Sequence, residues 1–150
     1  MNPYLDTSAL VPAYVEEQNS ARVARFLAEN PNVWISSLTE VEFVSALARR
    51  VRMKELSPER ARQVVSVFDR HLAEGFYVQA PVLEETFLVA ANFLKRFTTP
   101  LRSLDALHLA CCATEQKRLV TFDAVLAQCA RELGVECLLL GQETPGGQEC

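Results

Sequence analysis

The amino-acid sequence predicts an α/β fold built on a parallel sheet. Three observations carry this: short apolar runs recur along the chain, each is followed by one or two longer segments of helical periodicity, and turn residues separate them. At 150 residues the chain has the size of one domain and can bury a core. Hydrophobic residues make up 49% and charged residues 23%, which excludes a disordered chain.

The elements follow in order. Met1–Leu5 reads as a strand ending at Asp6, after which Thr7 or Ser8 caps a helix to about Glu16. A second helix, Ser20 to Glu29, presents Val23, Ala24, Phe26 and Leu27 as its apolar face. Val33-Trp34-Ile35 is a buried strand after the turn at Asn30-Pro31-Asn32. The next helix runs from Leu38 to about Met53. Ser37-Leu38-Thr39-Glu40 has the form of a capping box at its start, and Val41, Val44, Ala48 and Val51 mark its core stripe. Pro58 occupies the first position of a helix reaching Leu72, which Gly75 stops before a strand at Phe76–Gln79. Val82 to Arg96 is helical and ends before Thr98-Thr99-Pro100. From Leu104 to Ala113 nearly every residue is apolar, so this helix, capped by Ser103, should be buried. Leu119–Thr121 is a strand, Ala124–Leu133 a helix ended by Gly134, and Glu136–Leu140 a last strand. Residues 1–140 thus form one domain, and the polar, Gly- and Pro-rich 141–150 is expected to be a mobile tail.

Several function classes fall away. No apolar run approaches the roughly 18 residues needed to span a bilayer, and no basic segment precedes an apolar one as in a signal peptide. The five cysteines form no Cys-x-x-Cys pair, which argues against zinc and suits reduced thiols in a cytoplasm; Cys111 and Cys112 read as small core residues. A net charge of −4 argues against a protein that simply coats nucleic acid. Between Ser45 and Arg70, however, seven basic residues outnumber three acidic ones. That region, with Arg49 at its head, is either a solvated helical face or a phosphate-contacting patch.

Four acids stand apart. Asp6 and Asp123 fall at strand-to-helix junctions, where parallel sheets bind ligands. Asp105 lies in the first turn of the buried helix that leads into the strand before Asp123. Glu42 borders the apolar face of its helix, about 100° around from Val41. Each alone has an ordinary reading, as a helix cap or, for Glu42, as the partner of a distant Arg or Lys. Brought together, four carboxylates repel unless cations neutralise them or some are protonated. Hard oxygen ligands without His or Cys select Mg²⁺ or Mn²⁺, and such an ion activates water without any nucleophilic side chain. Thr7, Ser8 and Thr121 could orient carboxylates or waters, or serve only as caps. His108 shares a helical face with Leu104 and Cys112 and reads as packing; His71 has no catalytic context.

In sequence, YLDTSAL, SSLTEVE, LDALHLACC and LVTFD resemble the ordered acidic pattern of PIN-domain ribonucleases. Length and spacing are most similar to the VapC-type toxins of toxin–antitoxin pairs, and the resemblance extends to about Leu140. It implies a PIN-like three-layer α/β/α fold with a central parallel sheet of four to five strands. It also implies a Mg²⁺-dependent (or Mn²⁺-dependent) endoribonuclease, with Asp6, Glu42, Asp105 and Asp123 as the metal-binding acids and Thr121 beside the last of them. RNA as substrate, a small antitoxin inserted into the active-site groove and a homodimer complete what the resemblance implies. The alternative is a non-catalytic PIN-fold module for RNA binding or assembly, against which the presence of all four acids weighs. A haloacid-dehalogenase phosphatase would want D-x-D at the first strand end, but Thr7-Ser8 follow Asp6.

Overall fold

The computed structural model describes residues 1–141, which form five parallel strands and seven α-helices. The strands are β1 (Pro3–Leu5), β2 (Val33–Ser36), β3 (Tyr77–Ala80), β4 (Arg118–Thr121) and β5 (Cys137–Leu139). They lie in the order β3-β2-β1-β4-β5. The helices are α1 (Thr7–Leu10), α2 (Ser20–Glu29), α3 (Ser37–Arg52), α4 (Pro58–Ala73), α5 (Glu84–Leu94), α6 (Ser103–Glu115) and α7 (Ala124–Glu132). All but Gly141 of the expected C-terminal tail lies outside the described residues.

Successive strand residues point to opposite faces, and the two faces carry separate cores. Leu5, Ile35 and Val120 face Phe26, Phe43, Leu47 and Phe68 from α2, α3 and α4. Tyr4, Leu119 and Trp34 face Leu109 and Cys112 of α6 and Leu126 and Ala130 of α7. Ala90 of α5 packs on Ala106 and Ala110, so α5 leans on α6. The result is the expected three-layer α/β/α arrangement. Neighbouring Tyr4, Trp34 and Leu119 are in register across β2, β1 and β4. From β1 the chain builds outward through β2 to β3, then returns to add β4 on the other side of β1. The strand order therefore reverses between β1 and β4, and a crevice opens there at the carboxyl ends.

Local details depart from the sequence expectations for identifiable reasons. The first helix stops at Leu10 and continues only as a 3₁₀ turn, Val11–Ala13, rather than to Glu16. Pro12 supplies no N–H for the α-helical ladder and its ring crowds the preceding turn. At α3 the cap is Ser36, and the Thr39 hydroxyl accepts from the Ser36 N–H at 3.2 Å, so Glu40 takes no part. The buried face of α3 is Thr39, Phe43 and Leu47, whereas Val41 and Val44 are 67% and 43% exposed. The stripe of Val41, Val44, Ala48 and Val51 is thus corrected. Apolar residues surround much of this helix, and its rotation is set by Phe43, whose ring lies 4.4 Å from that of Phe68 and 5.4 Å from that of Tyr14. Ser103 is the first residue of α6 and not its cap.

Candidate active site

The crevice between β1 and β4 is built by side chains that tie the two strand ends together. Asp6 follows β1 and is 5% exposed. Its Oδ1 accepts from the Ala9 N–H at 3.1 Å and from the Ser8 hydroxyl at 2.8 Å. Its Oδ2 accepts from the Thr121 hydroxyl at 2.7 Å. Thr121 Oγ1 in turn accepts from the Asp123 N–H at 2.9 Å, and Ser8 Oγ accepts from the Phe122 N–H at 3.0 Å. Burial pushes the Asp6 carboxyl above its ordinary range; the Thr121 bond, then the field of His108 and the Ser8 and Ala9 bonds, pull it back.

Asp123 is exposed and does what an acid at a helix start ordinarily does: Oδ1 caps α7, accepting from Val125 and Leu126 N–H at 2.8 and 3.0 Å. Asp105 lies half-buried in the first turn of α6. Burial raises its carboxyl, His108 lowers it, and the charges of Asp123 and Glu42 raise it further. Asp105 at the start of α6 thus feels the charges of Asp123 at the start of α7 and of Glu42 on α3. Asp6 feels the field of His108, the residue bonded to Glu42.

Glu42 has a basic partner, though neither an Arg nor a Lys. Its Oε1 is bonded to Nε2 of His108, which is 1% exposed. His108 Nδ1 lies 2.8 Å from the Tyr4 hydroxyl, which also touches Ser36 Oγ at 2.7 Å and Thr39 Oγ1 at 3.3 Å. The reading of His108 as packing is therefore corrected: it is buried, but both ring nitrogens are engaged. Its place three residues after Asp105, inside an otherwise apolar helix, was the available signal, since a buried ring nitrogen needs a partner. His71, in contrast, bonds the Tyr14 hydroxyl at 2.6 Å, away from the acids, and keeps no place in the site.

Beside the acids runs an open groove of about 680 Å³, whose walls include Thr7, Ser8, Glu42, Arg49, Arg52 and Phe122. Arg50 also borders it but is paired with Glu17 at 2.5 Å. Of the basic run after Glu42, Arg49 and Arg52 are the exposed guanidinium groups on this groove. Thr7 Oγ1 is buried without a hydrogen-bond partner among the described residues.

Carboxylate and hydroxyl oxygens and an unpartnered Thr7 hydroxyl fit a hard divalent cation. The free thiols of Cys111, Cys112 and Cys129 are buried among apolar side chains. Among the described residues no three Asp, Glu, His or Cys side chains stand close enough together to ligate one ion. Asp6 and Asp123 are instead engaged by hydroxyl and backbone donors.

Comparison with known proteins agrees with this architecture. The family model described as PIN domain matches residues 4–132. No curated protein matches the chain. Among solved structures, the Mycobacterium tuberculosis toxin VapC20, described as Sarcin-Ricin loop cleaving, superposes with a TM-score of 0.69 at 17% identity, over 85% of this chain and 94% of that one. The promoter-DNA-bound VapBC2 of Rickettsia felis gives 0.67 at 16% identity, over 93% and 98%. The DNA-bound VapBC of Salmonella typhimurium gives 0.63 at 21%, over 92% and 97%. At these identities the likeness is one of fold.

Proposed function

The chain belongs to the PIN-domain family, and on that premise we propose that it is a Mg²⁺- or Mn²⁺-dependent endoribonuclease, the toxin of a toxin–antitoxin pair. What supports this reading is the placement of Asp6 and Asp123 just past β1 and β4, the two strands at the order reversal, with Glu42 in the wall of a groove that Arg49 and Arg52 also line. In this reading the four acids are the metal-binding residues. When bound, the ion supplies an activated water and neutralises charge on the phosphodiester.

The chain's own residues do the rest. Ser8 and Thr121 hold the Asp6 carboxylate in one orientation from both oxygens. Arg49 and Arg52 offer guanidinium groups to an RNA backbone lying in the groove, where counterion release favours binding. The Thr7 hydroxyl has a donor to spare for a water or a phosphate oxygen. No side chain here need act as a nucleophile.

The partner proposed is a small antitoxin, whose basic residue would pair with the acidic rim. The reading also takes the protein to be a cytoplasmic homodimer. No helix among the described residues is long and apolar enough to cross a membrane. Support for the pairing comes from the VapBC structures that share this fold. The test is cleavage of single-stranded or looped RNA with and without Mg²⁺. Binding without cleavage would move the reading to a non-catalytic PIN module.

A further inference from the structure

We infer that His108, backed by Tyr4, is a positioning residue that holds the Glu42 carboxylate in place for the groove. The inference rests on the proposed role of Glu42 in the metal site, and its geometry can be tested separately from that role.

With a neutral imidazole, hydrogen-bond chemistry gives the chain of contacts one direction. An ionised carboxylate only accepts, so the hydrogen of the Glu42 bond sits on His108 Nε2. In the neutral ring Nδ1 carries no hydrogen and accepts, and the Tyr4 O–H, 2.8 Å away, donates to it. The phenol oxygen keeps its lone pairs for the Ser36 and Thr39 hydroxyls, at 2.7 and 3.3 Å. Thr39 Oγ1 also accepts from the Ser36 N–H at 3.2 Å, leaving its own hydrogen for Tyr4. Every donor in this line thus has an acceptor, and the sequence of bonds ends on Glu42 Oε1. Oε2 is the oxygen that His108 does not engage.

The anchors are among the most buried groups of the protein. Tyr4 is 0% exposed at the centre of β1, Ser36 and Thr39 are 0% exposed at the junction of β2 and α3, and His108 is 1% exposed. Glu42 lies at the far end, with its side chain 24% exposed, in the wall of the groove. A glutamate on a helix surface samples several rotamers, and fixing it in advance removes that entropy from ligand binding. Leucine would fill the His108 position in an apolar helix without desolvating a ring. What histidine adds is a rigid link between two layers, of the kind that orients metal-binding carboxylates in other sites.

The test uses the full-length protein and the variants His108→Leu, His108→Gln and Tyr4→Phe, with Mn²⁺ as probe. In metal-free wild type, ¹⁵N spectra of the imidazole should show Nε2 protonated and Nδ1 as the acceptor. Mn²⁺ affinity should fall about 10–100-fold in His108→Leu and only about threefold in His108→Gln, whose amide keeps a donor toward Glu42. Tyr4→Phe should shift the Nδ1 resonance and weaken Mn²⁺ by a few-fold. On RNA, kcat at limiting Mn²⁺ should fall in parallel and recover as Mn²⁺ is raised, a recovery that a general loss of structure does not produce. If His108→Leu fails to fold, the other two variants carry the comparison. Unchanged Mn²⁺ affinity in His108→Leu and Tyr4→Phe, or a hydrogen on Nδ1 in place of Nε2, would overturn the inference. Wild type that takes up no Mn²⁺ would instead remove the metal reading, and the nitrogen spectrum would still decide whether His108 holds Glu42.

Discussion

Thr121→Val is the most informative single change at the strand ends. Valine has nearly the shape of threonine, so packing at this fully buried position is kept while the hydroxyl is lost. The Asp6 carboxylate then loses its 2.7 Å donor and keeps only Ser8 and the Ala9 N–H. A hydrogen bond to a charged acceptor contributes about 1.5–3 kcal/mol. The Asp123 N–H also loses its acceptor, but Asp123 is exposed and water can replace it. The net loss should therefore be about 2 kcal/mol, or about 4–8 °C in Tm for a domain of this size. Urea unfolding in EDTA, with an unchanged m value, measures it. The control is Thr121→Ser, which keeps the hydroxyl and loses a buried methyl, costing about 1 kcal/mol.

The pH dependence separates the two. Thr121 is the strongest of the influences that lower the Asp6 carboxyl against burial, so Thr121→Val raises it further. The variant's deficit is fully present above its own, higher Asp6 value, shrinks as pH falls from there toward the wild-type value, and levels off below it, where the proton neutralises the acceptor in both proteins. The Thr121→Ser deficit should stay flat over the same range. A Thr121→Val loss below about 0.5 kcal/mol at pH 7, well under the span expected for a charged hydrogen bond, would refute the reasoning. So would a loss that does not change in acid.

Other expectations follow from the same contacts. Glu42→Gln should abolish RNA cleavage with the fold intact, while Glu40→Gln and Glu40→Ala should stay near wild type in rate and melting, because Ser36 and Thr39 make the cap. Arg49→Gln with Arg52→Gln should weaken RNA binding and flatten its salt dependence by about one unit per lost phosphate contact, read from Kd against salt. Arg50→Ala should leave that slope alone and cost under about 1 kcal/mol in melting, since it breaks a half-exposed pair with Glu17. Native expression should yield the protein with a small companion; a single species on purification would count against the antitoxin.

Much of this was legible in the chain because it rests on local rules. Alternating apolar runs and helical segments place the strands, and an acid just past a strand marks the carboxyl end of the sheet, as Asp6 and Asp123 do. What escaped depends on contacts between distant segments. Val41, Phe43, Val44 and Leu47 all suit a core, and only the aromatic contact of Phe43 with Phe68 decides which of them turn inward. Ser36 and Ser37 are equally good caps by type; Ser36 does the capping because β2 runs one residue further than Ile35. Helical spacing placed His108 on a buried face but could not reveal Tyr4 and Glu42, which come from β1 and α3. Pro12 was a readable stop within the first helix and should have shortened it.

The central claim is that these acids hold a divalent ion that cleaves RNA, and one measurement addresses it most directly. Wild type and Asp105→Asn are incubated with a single-stranded RNA in Mg²⁺ and in excess EDTA, after both are shown to melt cooperatively. Asp105 is the acid to change because its side chain makes no hydrogen bond among the described residues and feels the charges of Asp123 and Glu42. The account predicts cleavage only by wild type in Mg²⁺. Cleavage by wild type that persists in EDTA, or by Asp105→Asn at the wild-type rate, would contradict it.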